Sequence, residues 1–171
     1  MEKWYVIQVR TRLEEKIKNQ CETYISSEVL KKSFIPKRKL VKKIRGKWEE
    51  VEEILFGGYV FLVSDNPAKL YNELKKIPDL TKLLGKIEKE FFPLYDDEII
   101  FLESMYDEEN IVQISHGIIE NDTVIIKDGP LKGKERIITK IDRHKRIAFI
   151  EVELFGKITQ AKVGLEIISK T

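Results

Sequence analysis

Toward the C-terminal end of the chain, TVIIK, RIITKI, RIAFIEVEL, ITQAKV and LEII follow one another between residues 123 and 168. Only short turns separate them, and none shows a helical period. Within the longest, Ala148, Ile150, Val152 and Leu154 alternate with Ile147, Phe149, Glu151 and Glu153, the pattern of a strand with one buried face. Five such runs predict a small β-barrel or curled sheet, near the size below which a domain struggles to bury enough surface alone. A chain of 171 residues is therefore expected to hold one domain of ordinary size and one small module.

The upstream part reads as mixed α and β. WYVIQV at 4–9 is rich in aromatic and β-branched residues and predicts a buried strand. Leu13, Ile17, Cys21, Tyr24, Ile25 and Val29 recur at helical spacing, so a helix is predicted over 12–31. Thr11 and Glu14 are placed to form a reciprocal cap at its start. FIPKRKLVKKIRGKWEEVEEIL alternates on both sides of Arg45-Gly46-Lys47 and predicts a hairpin with one basic and one acidic arm. YVFLV at 59–63 is another strand, Asn66-Pro67 opens a helix through Lys76, and 96–104 reads as a helix with acids in its first turn. Residues 105–118 carry three acids and no Lys or Arg; no sustained period runs through them, which predicts a flexible linker.

A hydrophobic share of 42% supplies a core, and net charge of only +2 excludes a uniformly basic nucleic-acid coat. Charge is instead clustered: residues 37–47 hold seven cations and no acid, and residues 127–146 hold eight cations against Asp128, Glu135 and Asp142. The lone Cys21 excludes an intrachain disulfide or a cysteine-based zinc site, and His116 and His144 lack a partnering pattern. No metal and no cofactor is expected. The longest apolar run, 54–64, is too short to span a bilayer and no secretory signal opens the chain, so a cytoplasmic monomer away from membranes is expected.

The carboxylate pairs at 14–15, 49–50, 52–53 and 96–98 have no nucleophile or histidine beside them, so no catalytic residue is assigned and an enzyme is not expected. Trp4, Tyr5, Phe56, Tyr59 and Phe61 fall in the predicted sheet; they are either core or an exposed protein-binding patch. Lys132, Lys134, Arg136, Lys140, Arg143, His144, Lys145 and Arg146 fall mainly on two turns of the small barrel. If those turns converge they suit phosphates, and with few aromatics nearby the expected target is the backbone or shape of a folded RNA.

KWYVIQVRTRLEEK, ILFGGYVFLV, IIKDGPLKGKERIITKID and VELFGK, in that order, resemble the successive signatures of the NusG family of transcription elongation factors. The resemblance implies an α+β chain: an N-terminal α/β sandwich domain over 1–104, an antiparallel sheet with flanking helices; a linker over 105–118; and a C-terminal KOW β-barrel over 119–171. It further implies that Trp4, Tyr5, Phe56, Tyr59 and Phe61 dock on the β′ clamp helices of RNA polymerase and that Arg10 and Arg12 face non-template DNA. Phe56-Gly57-Gly58-Tyr59 stands where the family has Phe-Pro-Gly-Tyr. Arg136 replaces a family glycine, Lys162 an acid, and Phe155-Gly156-Lys157 the usual Phe-Gly-Arg. The barrel departures fall where housekeeping members bind ribosomal protein S10 or Rho, and Arg136 and Lys162 add positive charge. The expectation is a specialised LoaP-type paralogue. Its barrel would bind a structured nascent RNA through the turn cations and Lys157, promoting readthrough of terminators in target operons. The alternative is a housekeeping elongation factor whose barrel contacts ribosomal protein S10 or Rho.

Overall fold

The computed structural model of the chain describes residues 2–80, 82–83 and 93–171. It falls into two compact units, Met1–Ile35 with Phe56–Ile99 and Pro36–Leu55 with Ile100–Thr171.

The first unit is built on a four-stranded sheet ordered β2-β5-β1-β6, from β1 (Lys3–Gln8), β2 (Lys32–Phe34), β5 (Tyr59–Ser64) and β6 (Lys82–Leu83). β1 and β5 pair antiparallel from Lys3↔Ser64 to Gln8↔Tyr59. Helix α1 spans Glu14–Tyr24, shorter than the predicted 12–31. It stops because Ile25 turns extended, and Ser26 then organises a tight turn, its carbonyl accepting from Val29 and Leu30 N–H. The reciprocal cap predicted from Thr11 and Glu14 does not form. Arg12 takes a positive φ of 79°, and Leu13 occupies the capping position without a side-chain bond. Glu14, only 2% exposed, turns inward and accepts from Gly58 N–H at 2.7 Å. That bond fixes the turn before β5 against the start of α1.

Helix α2 (Pro67–Leu74) begins as predicted: Asn66 accepts from Lys69 N–H at 3.1 Å and Pro67 takes the first helical position. Helix α3 (Asp96–Met105) is capped by Glu98, which accepts from Tyr95 N–H at 2.7 Å. Cys21 is fully buried, and burial, aided by Glu22, pushes its thiol up to about 12.

The second unit holds two sheets. One is ordered β4-β3-β7, from β3 (Lys37–Ile44), β4 (Lys47–Ile54) and β7 (Ile111–Val112); the other is five-stranded, β10-β11-β12-β8-β9. Its strands are β8 (Ser115–Glu120), β9 (Thr123–Asp128), β10 (Ile138–Asp142), β11 (Ile147–Leu154) and β12 (Lys157–Lys170). The β3–β4 hairpin turns at Arg45 and Gly46, both with positive φ, which matches the right-handed strand twist.

Three sequence expectations change. The runs ITQAKV and LEII merge into the single strand β12, and the fifth strand comes from β8, part of the expected linker. Part of 105–118 is therefore paired in sheets: Ile111–Val112 lie parallel to Lys37–Arg38, and Ser115 begins the pairing of β8 with β12. Asp107 also orders this stretch, accepting from Glu109 and Ile111 N–H at 2.8 and 3.0 Å. The hairpin, expected within a 1–104 domain, groups with the five-stranded sheet instead. Gly164 makes that possible, since a Cβ there would lie 2.7 Å from the Lys39 carbonyl oxygen of β3. Arg38 adds a bond from Nη1 to the Lys162 carbonyl at 3.2 Å.

Candidate nucleic-acid interface

Alternation along the strands decides what the aromatic residues of the first unit can do. Register places Trp4, Tyr59, Phe61 and Phe34 on one face of the sheet and Tyr5 on the other. Tyr5, Phe56 and Phe61 are 1%, 7% and 0% exposed, so these three are core. Phe61 stacks on Phe34 at 5.2 Å between ring centres, with Trp4 edge-on to Phe34 at 5.1 Å and Phe56 at 6.4 Å from Phe61. Trp4 and Tyr59 remain half-buried. An aromatic that sequence reading passed over is Tyr95, 75% exposed, next to Leu94, whose N–H bonds to the Trp4 carbonyl at 2.8 Å. It sits directly before the predicted helix, where no strand or helix period marked it. Arg10 and Arg12 are exposed, in the loop before α1 rather than in its first turn.

The basic residues of the five-stranded sheet do not converge on one point. Arg143, His144, Lys145 and Arg146 make the β10–β11 turn, whereas Lys132, Lys134 and Arg136 lie before β10. The length of β10, about 3.3 Å per residue over Ile138–Asp142, separates the two groups by roughly 13 Å. Lys157 pairs with Leu154, at the end of β11 away from the Arg143–Arg146 turn. Arg136 lies in a short 3-10 turn (Glu135–Ile137) pinned by Glu135, which accepts from Ile126 N–H at 3.0 Å; that bond holds the Glu135 carboxyl below the usual range. Lys134 Nζ is spent on the Pro130 carbonyl at 3.0 Å. Lys140 and Lys162, register neighbours of Phe149 on either side, place their ammonium groups 5.3 and 5.6 Å from its ring centre.

The Arg143–Arg146 turn meets the hairpin. Arg146 stacks its guanidinium 3.9 Å from the Trp48 ring centre and approaches Glu166 at 3.9 Å. Between hairpin and sheet lies a groove of about 460 Å³ whose lining includes Lys43, Trp48, His144, Lys145, Phe149 and Lys162. On the hairpin, Glu53 pairs with Arg38 at 2.9 Å and with Lys42, while Lys39 reaches Glu50 at 3.7 Å. The bond from Lys42, followed by those from Arg38, holds the Glu53 carboxyl below its ordinary range against partial burial. Much of the basic arm is thus neutralised across the strands, as a basic arm facing an acidic one implies. Sequence reading treated the hairpin and the barrel separately and so missed Trp48 beside the barrel turn; the signal is the exposed tryptophan itself, opposite Lys43 in the register.

Among the described residues, no group of three or more His, Cys, Asp or Glu could hold a metal, and no helix is long and apolar enough to cross a membrane. A helix-bearing antiparallel sheet and a five-stranded β unit carrying two sets of cations define a two-unit α+β architecture. Residues 2–103 match the family described as transcription termination factor NusG. The chain belongs to the NusG family, whose members are transcription termination and antitermination factors. It is 24% identical to NusG of Campylobacter jejuni, over 94% of this chain and 93% of that protein. With NusG of Lactococcus lactis the identity is 27%, over 95% and 89%. A solved structure that concerns domain interaction in Thermotoga maritima NusG shares the fold, with a TM-score of 0.60, 21% identity, and coverage of 96% of this chain and 94% of that one.

Proposed function

We propose that the protein is a cytoplasmic, LoaP-type antitermination factor: it docks on RNA polymerase through the first unit and binds a structured nascent RNA through the KOW-type five-stranded sheet. The observation that carries the RNA reading is the Arg143–Arg146 turn. It presents exposed Arg143, His144 and Lys145, and among the described residues the only carboxylate ion-paired to the turn is Glu166, on Arg146. Arg136, Lys132 and Lys157 form a second exposed set, so one RNA stem contacting both would straddle the sheet. In the polymerase-docking role, Trp4, Tyr59 and Tyr95 supply contact surface, with Phe61, Phe56 and Tyr5 supporting them from the core. Arg10 and Arg12, exposed on their loop, suit a non-template DNA strand.

The test is binding of the full chain to hairpin RNAs from nascent leaders over a salt series with excess nonspecific RNA. Arg143→Ala and Arg136→Ala are each expected to flatten the slope of log K against log salt by roughly 0.7–0.9. Unchanged slopes in both would contradict the reading. Its rival is a housekeeping elongation factor whose barrel meets ribosomal protein S10 or Rho, favoured by the near full-length match to the NusG relatives. A wild-type chain that captured either protein and no hairpin would decide for it.

A further inference from the structure

We infer that the groove between the β3–β4 hairpin and the five-stranded sheet takes an unpaired nucleotide of the bound RNA, with Trp48 as its stacking platform. This rests on the RNA-binding reading and adds a site to it. Sequence reading found too few aromatics near the barrel turns to hold splayed bases. The structure adds Trp48, 38% exposed, to the half-buried Phe149 and to His144, all three lining the groove. Arg146, tethered by Glu166, lies against the indole and fixes its orientation. A preset platform of this kind costs little ordering on binding.

Charge complementarity points to the same occupant. Five cations line the groove against one carboxylate, Glu53, which Arg38 and Lys42 already neutralise. Lys43, Lys145 and Lys162 enter no ion pair among the described residues and remain available to phosphates on either side of a stacked base. Cations flanking aromatic faces are what single-stranded nucleic acid requires. RNA is assigned over other polyanions by continuity, since His144 and Lys145 belong to the turn already given to RNA. The groove is also narrow in its demands: Gly164 lets β3 approach β12, and Arg38 bonds to the β12 backbone, so the walls are held in place.

The test uses the full chain with three probes: a short oligouridine, a blunt RNA duplex of equal length and an oligoglutamate peptide. Oligouridine is expected to bind more tightly than the duplex and to quench tryptophan fluorescence, and the quench should vanish in Trp48→Phe if that indole reports it. Trp48→Ala should weaken oligouridine binding about tenfold with the salt slope unchanged. Lys43→Ala should flatten the slope by about 0.7; being exposed, it also decides the matter if Trp48→Ala melts early. Oligouridine affinity within twofold of wild type in both variants would overturn the assignment, as would oligoglutamate competing equally well, which would give the groove to an acidic protein segment. Hairpin binding that survives both variants but falls with Arg136→Ala would sink the groove alone. A wild-type chain that binds no hairpin would sink the parent reading.

Discussion

Replacing Phe61 with alanine is expected to cost about 3–5 kcal/mol of stability, the usual range for emptying a buried aromatic position. The side chain is fully buried, stacks on Phe34, contacts Trp4 edge-on and sits near Phe56, so its removal takes three ring contacts from the core. Against a typical total of 5–15 kcal/mol, this leaves the first unit close to unfolding at physiological temperature. Urea unfolding read by tryptophan fluorescence measures it, because Trp4 reports on the same cluster. A loss under about 1.5 kcal/mol would mean the cluster is loosely packed. The half-buried Trp4 should cost less, so Trp4→Ala is the variant that separates polymerase docking from stability.

Gly129→Ala is expected to cost about 2–4 kcal/mol, from positive-φ strain added to overpacking. Gly129 has a φ of +94°, and a Cβ there would lie 2.5 Å from Ser115 Cα. Backbone cannot yield as a flexible side chain would. Ser115 is itself fully buried and accepts from Leu131 N–H at 3.0 Å, so the clash reaches the loop that carries Lys132 and Lys134. A drop in melting temperature together with faster amide exchange in β8 and in the 129–134 loop is the expected signature. An unchanged melt would show that β8 shifts freely against the loop.

Elements whose signal is local were legible in the sequence. The Arg45-Gly46 turn, the Asn66-Pro67 helix start and the acidic first turn of α3 each depend on a few adjacent residues, and each stands where its residues put it. What failed depended on partners distant in sequence. The local spacing makes Glu14 a cap, yet it serves Gly58, forty-four residues on. Ile111–Val112 looked like linker because two-residue pairing with β3 leaves no period. The aromatic site split because alternation sends Trp4 and Tyr5 to opposite faces, and composition cannot say which face is covered. For the cations, identity was visible and convergence was not: the length of β10 separates two turns that are close in sequence. Trp48 was hidden for the reason that hid the unit boundary, since nothing local says that the hairpin packs on a sheet formed mainly by residues beyond 115.

The most direct test of the proposed role is single-round transcription through an intrinsic terminator with cognate RNA polymerase and the full chain, comparing a template whose leader encodes the bound hairpin with one in which that hairpin is unpaired by mutation. Readthrough that rises with the protein only when the hairpin is intact, and falls with Arg143→Ala, is the predicted result. Readthrough that rises equally on both templates would show that polymerase contact alone suffices, and would contradict RNA-directed antitermination.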